Sequence, residues 1–170
     1  INNQIQRKLA DGESRTDIFH ELSQSSPSES GKFAYCINSI PTEELRKKYL
    51  VVNALLIISL VGYSVLTLLS EFPINLNEPT LFIVIKILVP LVFSYFVFHF
   101  HGGLYRVIGL WCIMDLLEAS ALSGFGNLLD LSRIMMLFAC VFLSWLIAMK
   151  VFAHLTFLGP KKDRSGNYII

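Results

Sequence analysis

The chain has 170 residues, enough for one domain, with 54% hydrophobic residues, only 16% charged residues and a mean hydropathy of +0.57. Soluble domains usually carry about a quarter charged residues, so this composition argues against an ordinary water-soluble fold. The net charge of +1 gives no basis for nucleic acid as a partner or for electrostatic steering of acidic substrates.

The polar N-terminal segment, residues 1–48, is predicted to fold as short helices on the cytoplasmic side. Ser14 followed by Asp17 is similar to a capping box, and the stretch from 23 to 31 has the composition of a linker. The segment is either a small interaction module or an amphipathic tether for the membrane domain, and its nearly balanced charge disfavours a DNA-binding helix-turn-helix. The predicted helices cover residues 4–10, 15–22, 32–40 and a stretch that begins at 41–44 and continues into the first apolar run.

Four apolar stretches follow, and each is close to the ~20 residues that a transmembrane helix needs. A soluble protein with apolar core helices is the alternative, but the first and fourth stretches are apolar nearly all round. The predicted fold class is therefore an all-α membrane protein: a four-transmembrane-helix bundle, residues 49–158, with a short helical N-terminal cytoplasmic segment. The spans are predicted at about 49–69, 80–100, 104–122 and 133–158, followed by a cytoplasmic tail at 159–170.

The orientation of the spans follows from lysine and arginine in the short flanking segments. Arg46, Lys47 and Lys48 precede the first span, whereas the 71–79 connection has no Lys or Arg. Arg106 lies beside the second turn, and the tail adds further basic residues. We expect a multi-pass protein of the bacterial inner membrane with both termini in the cytoplasm.

Four polar side chains from three predicted spans fall at a similar depth in the outer leaflet. At ~1.5 Å per helical residue, Lys86 lies ~9 Å, Glu118 ~6 Å, Asp115 ~10 Å and Tyr63 ~9 Å from the outer boundary. Ionisable groups at such depths need a partner or a water-filled cavity. We expect Lys86 to pair with Glu118 or Asp115, with Tyr63 as a hydrogen-bond neighbour; the alternatives are a snorkelling Lys86 and a proton or cation site.

Other polar residues in the spans give weaker signals. Asn53 is expected to hydrogen-bond across helices, and Pro90 to kink the second span. His99, His101 and His154 share the cytoplasmic boundary, but no carboxylate or cysteine lies at ligand spacing, so we predict interfacial histidines and no metal. Cys112 and Cys140 are expected to be buried free thiols.

The sequence contains no hydrolase, zinc-protease or nucleotide-binding motif, which favours a non-enzymatic protein, and we predict no cofactor. A membrane enzyme stays open as a third hypothesis, with the three histidines as its one weak support. No motif identifies a family. The favoured function is an accessory or assembly subunit of a membrane complex, with the lipid bilayer and another membrane protein, or a second copy of the chain, as partners. The alternative is a small oligomeric proton- or cation-coupled transporter or channel that uses Asp115 and Glu118.

Overall fold

The computed structural model describes residues 2–70, 80–122, 128–157 and 159–170. The described part of the chain is all-helical, with 77% of its residues in helices and no strand. Besides a 3-10 turn at Pro27–Glu29, the helices are α1 (Asn2–Ala10), α2 (Arg15–Ser25), α3 (Ser30–Ser39), α4 (Glu43–Lys48), α5 (Leu50–Ser70), α6 (Thr80–Phe98), α7 (Leu104–Leu122) and α8 (Leu128–Lys150).

Helices α1, α2 and α3 form a small N-terminal module around Ile5, Ile18 and Ile37, all fully buried. The predicted start of α2 is confirmed, because the Ser14 side chain accepts a hydrogen bond from the amide of Asp17 at 3.3 Å. The predicted linker at 23–31 is wrong: α2 continues to Ser25, and the 3-10 turn leads directly into α3.

The last residues of the chain pack against this module and do not form a separate tail. Ile170 joins the apolar cluster, and the Asn38 amide nitrogen donates to the carbonyl of Ile169 at 2.8 Å. The ring of Tyr168 meets that of Phe19 edge to face, with centroids 6.1 Å apart. The two ends of the chain therefore share one core.

The first three apolar helices lie within two residues of the predicted spans, and the fourth differs. Helix α8 begins at Leu128 and ends at Lys150, whereas residues 133–158 were predicted. Its early start is favoured by Asp130 in the first turn, where a carboxylate interacts well with the helix dipole. After Lys150 the chain turns, and Phe152 stacks on Tyr105 with ring centroids 5.3 Å apart.

The four long helices pack as neighbours in the order α6, α5, α8, α7. Helix α5 packs along both α6 and α8, and α7 packs along α8, but α6 and α7 approach each other at far fewer positions. A close α7–α8 approach occurs at Gly109, where a Cβ atom would lie 3.0 Å from Ser144 Oγ. The seam between α6 and α7 is thus the open side of the bundle.

Among the helices that the structure describes, α5 and α8 are long and apolar enough to cross a membrane. Helix α6 contributes a shorter apolar stretch, Ile83–Phe98. Helix α7 is continuous, but its apolar sequence contains three charged residues, Arg106, Asp115 and Glu118. The predicted bundle is supported in this way for two of its four helices.

Candidate functional site

The four side chains singled out from the sequence meet at the seam between α6 and α7. Lys86 Nζ lies 2.8 Å from Glu118 Oε1 and 3.8 Å from Asp115 Oδ1. Tyr63, from α5, donates its hydroxyl hydrogen to Asp115 Oδ2. Three helices therefore contribute to one polar cluster, which we call the seam cluster: Tyr63, Lys86, Asp115 and Glu118.

The members of the seam cluster differ sharply in burial. The side chain of Asp115 is 7% exposed, that of Lys86 26% and that of Glu118 50%. A groove of about 390 Å³ runs over the cluster, with Ile85 and Met114 among its walls. Asp115 faces the bundle interior, and Glu118 lies at the open edge of this groove.

The charges in the cluster do not balance. Two carboxylates meet one ammonium group, which leaves one negative charge without a counter-ion inside the cluster when all three are ionised. Asp115 is stabilised by the Tyr63 hydroxyl as well as by Lys86. The half-exposed Glu118 carboxylate is held by Lys86 on one side and is open on the other.

Aromatic rings form the wall next to the cluster. Trp111 on α7 meets Tyr63 and Phe93 edge to face, with ring centroids 6.1 Å and 5.8 Å apart. These contacts join α7 to α5 and to α6 beside the charged groups. The Trp111 ring thus packs against the ring of Tyr63, whose hydroxyl donates to Asp115.

A second buried network lies near the other end of the bundle. The Asn53 amide nitrogen donates to the carbonyl of Val97 at 2.8 Å, and the Tyr105 hydroxyl donates to Asn53 Oδ1 at 2.6 Å. The expected hydrogen bond of Asn53 across helices is confirmed. The sequence did not identify Tyr105 as the partner of Asn53. An aromatic residue near the start of a span is more typical of an anchor at the membrane interface.

The three histidines at the predicted cytoplasmic boundary, His99, His101 and His154, do not form a metal site in the described residues. No group of three His, Cys, Asp or Glu side chains there is arranged to hold a metal ion. The rings of His99 and His101 are 6.5 Å apart at 88°, on either side of Phe100, which has a left-handed backbone with φ of 54°. The Cys112 and Cys140 thiols are buried and free.

The chain matches no protein-family model, no curated protein and no solved structure. Its function has to be argued from the geometry of its own residues.

Proposed function

We propose that α5, α6, α7 and α8 all cross a lipid bilayer, and that the protein is an assembly subunit whose seam cluster holds a transmembrane helix of another protein. The termini face the cytoplasm in this proposal, as the basic residues around α4 and in the C-terminal segment favour. No catalytic step is part of it.

The distribution of polar and apolar side chains in the bundle supports the membrane placement. Only 39% of the apolar stretch of α5 and 33% of that of α8 is buried within the chain. Large apolar side chains point outward on every long helix, including Ile58, Val92, Phe98, Met114, Met135 and Phe142. Polar side chains point inward, namely Asn53, Ser59, Ser64, Thr67, Ser94, Asp115 and Ser144. Exposed apolar patches of this extent are rarely found on soluble monomers, whereas lipid favours them.

The length of α6 and α7 and the pairing of their polar groups support their inclusion as spans. Each has 19 residues, or ~28 Å of helix at 1.5 Å per residue, which is close to the ~30 Å of a hydrocarbon core. The carbonyl of Ile87, three residues before Pro90, accepts a hydrogen bond from Ser64 of α5 at 3.1 Å. Lys86, Asp115 and Glu118 neutralise each other in part, which lowers the free energy of placing them in lipid.

The observation that carries the partner proposal is the half-exposed Glu118 beside an open groove. A carboxylate facing hydrocarbon loses hydrogen bonds to water that lipid chains cannot replace. A partner helix with a basic side chain at that depth restores them and balances the extra negative charge of the cluster. A second copy of the chain is less suitable, because a two-fold interface brings two such negative clusters face to face.

A site-specific photo-crosslinker in native membranes tests this proposal. Placed at Met114, which lines the groove, it should give a discrete protein adduct that is lost when Glu118→Gln is added. Met135, equally exposed on α8 and outside the groove, is the matched control and should give lipid adducts only. The same adducts at both positions, or a Met114 adduct that persists in Glu118→Gln, would contradict a charge-directed partner site. An adduct with the mass of a homodimer would show that the partner is a second copy of the chain.

The buried Asp115 favours a second candidate, a proton- or cation-coupled transporter. This carboxylate is linked to a hydroxyl and an ammonium group in the interior, which is the kind of environment found in proton relays. Flux measurements in liposomes separate the two functions. A pH-dependent flux that disappears in Asp115→Asn supports transport, and absence of flux in the purified protein supports the assembly function.

A further inference from the structure

A cleft of about 980 Å³ separates the N-terminal module from the turn between α6 and α7. Arg15 contributes from the module, Arg46 from α4, and His99 and His101 from the turn. In the proposed topology this cleft lies at the cytoplasmic boundary of the bilayer.

The two arginines of the cleft are held by uncharged groups. Arg15 donates to the carbonyl of Ile40 at 2.6 Å, and Arg46 lies over the ring of Phe100 with its guanidinium carbon 5.5 Å from the centroid. Neither arginine forms an ion pair with a carboxylate in the described residues. Two glutamates also line the cleft, and each lies near a lysine. Glu13 is 3.5 Å from Lys8, which also pairs with Glu21, and Glu43 is 3.8 Å from Lys47.

The far wall of the cleft is fixed by close packing. A Cβ atom on Gly103 would lie 2.0 Å from the hydroxyl of Tyr35, and one on Gly102 would lie 2.5 Å from the ring of Phe152. Only glycine permits this approach, so the turn is held against α3 of the module. This part of the lining is therefore built from the backbone of the two glycines and the Tyr35 side chain.

We propose that this cleft binds a phosphate-ester anion, the headgroup of an anionic membrane lipid, with Arg46 and Arg15 as the phosphate ligands. Arginine is suited to this role because its planar guanidinium donates two parallel hydrogen bonds to a phosphate. The cleft is much larger than one inorganic phosphate, and the apolar side chains of Leu9, Ile40 and Leu104 along it fit the glycerol and upper acyl region of a lipid.

The inference rests on the proposed membrane placement but not on the seam cluster or its partner. If the membrane placement fails, the purified protein stays monodisperse in buffer without detergent. If only the lipid inference fails, the protein still requires detergent but shows no preference among headgroups. The two failures are therefore distinguishable in one set of samples.

The test is thermal unfolding and titration in a neutral detergent with phosphatidylglycerol, phosphatidylcholine or soluble glycerol phosphate. Phosphatidylglycerol should raise the unfolding temperature, and Arg46→Gln should weaken its binding about tenfold or more, the scale of losing charge-assisted hydrogen bonds. Lys48→Gln is the matched control, because it removes the same charge from the last residue of α4, outside the cleft lining. Arg46 is preferred to Arg15 because Arg15 also connects α2 to the end of α3.

Three outcomes would overturn the inference. Equal stabilisation by phosphatidylcholine would remove the requirement for an anion. Equal binding by Arg46→Gln and Lys48→Gln would show that the cleft is not the binding site. Binding of soluble glycerol phosphate as tightly as the lipid would show that the ligand is a soluble phosphate ester and not a lipid headgroup.

Discussion

Tyr63 on α5 donates a hydrogen bond to Asp115 on α7, although the backbones of these two helices do not approach each other closely in the described residues. The bond crosses the bundle from one helix to a helix that is not its neighbour. It connects the α5–α6 pair to the α7–α8 pair next to the open seam. Loss of this bond should therefore lower the stability of the whole bundle and not of one helix alone.

Replacing Tyr63 by phenylalanine tests this connection. The substitution keeps the ring against Trp111 and removes the donor from a buried carboxylate, so we expect the free energy of unfolding to fall by about 1–3 kcal/mol. Thermal unfolding in detergent measures the change. Tyr95→Phe, on the outward face of α6, is the control and should have little effect. Similar losses in the two variants would show that the Tyr63 hydroxyl is not used in this way.

The pairing of Lys86 and Glu118 can be measured with a double-mutant cycle. Lys86→Met leaves two carboxylates without their ammonium group and should lower the unfolding temperature more than Lys150→Met at the exposed end of α8. Adding Glu118→Gln should restore part of the loss, because one of the two unpaired charges is removed. Additive effects of Lys86→Met and Glu118→Gln would mean that the two side chains do not interact in the folded protein.

The contacts of this cluster could be predicted from the sequence for a simple reason. Helical rise converts residue number into depth, and an ionisable group in an apolar helix has few possible partners at its own depth. The sequence does not contain the lateral order of the helices. It therefore left open whether Lys86 meets Asp115 or Glu118, and it gave no sign that Glu118 lies at an open edge.

The C-terminal residues should stabilise the N-terminal module. Deleting Tyr168, Ile169 and Ile170 removes an apolar side chain from the module core and leaves the buried Asn38 amide without its carbonyl acceptor. We expect faster hydrogen exchange at the buried positions Ile18 and Ile37, with α5 and α8 unaffected. Arg164→Ser, on the exposed turn before these residues, is the control. Unchanged exchange in the module after the deletion would show that it folds without the C-terminal residues.

This association and the course of α8 could not be read from local patterns. Ile170 has no periodic neighbours that mark it as a core residue, because its partners are more than 130 positions away, as in the bond from Asn38 to Ile169. The apolar run from 151 to 157 looks like a continuation of α8. The chain turns there instead, and the Phe152 ring stacks on the ring of Tyr105 in α7.

The three cysteines should differ in reactivity toward a maleimide. Cys36 is half-buried, whereas Cys112 and Cys140 are buried inside the bundle, so the folded protein should label at Cys36 alone. Burial raises the pKa of the Cys36 thiol, which lowers the fraction of thiolate at neutral pH. Labelling should therefore be slower than for a free cysteine at pH 7.5 and should keep accelerating above the usual pKa. Mass spectrometry counts the adducts, and rapid labelling of all three thiols under native conditions would contradict the structure of the bundle.

Two helical glycines provide a matched test of the α7–α8 contact. At Gly62, a Cβ atom would meet only the flexible end of Met136 at 3.5 Å, an ordinary contact. At Gly109, it would meet Ser144 Oγ at 3.0 Å and the Trp145 ring at 3.4 Å, and the Ser144 hydroxyl is already bonded to the carbonyl of Val141.

Alanine is favoured over glycine inside a helix by about 1 kcal/mol, so Gly62→Ala should raise the unfolding temperature. Gly109→Ala has the same intrinsic gain but forces α7 away from α8, and overpacking of this kind usually costs about 1–3 kcal/mol, so its unfolding temperature should fall. Unfolding of both variants in the same detergent gives the comparison. If both glycines respond alike, the spacing of α7 and α8 is not set by the missing side chain at Gly109.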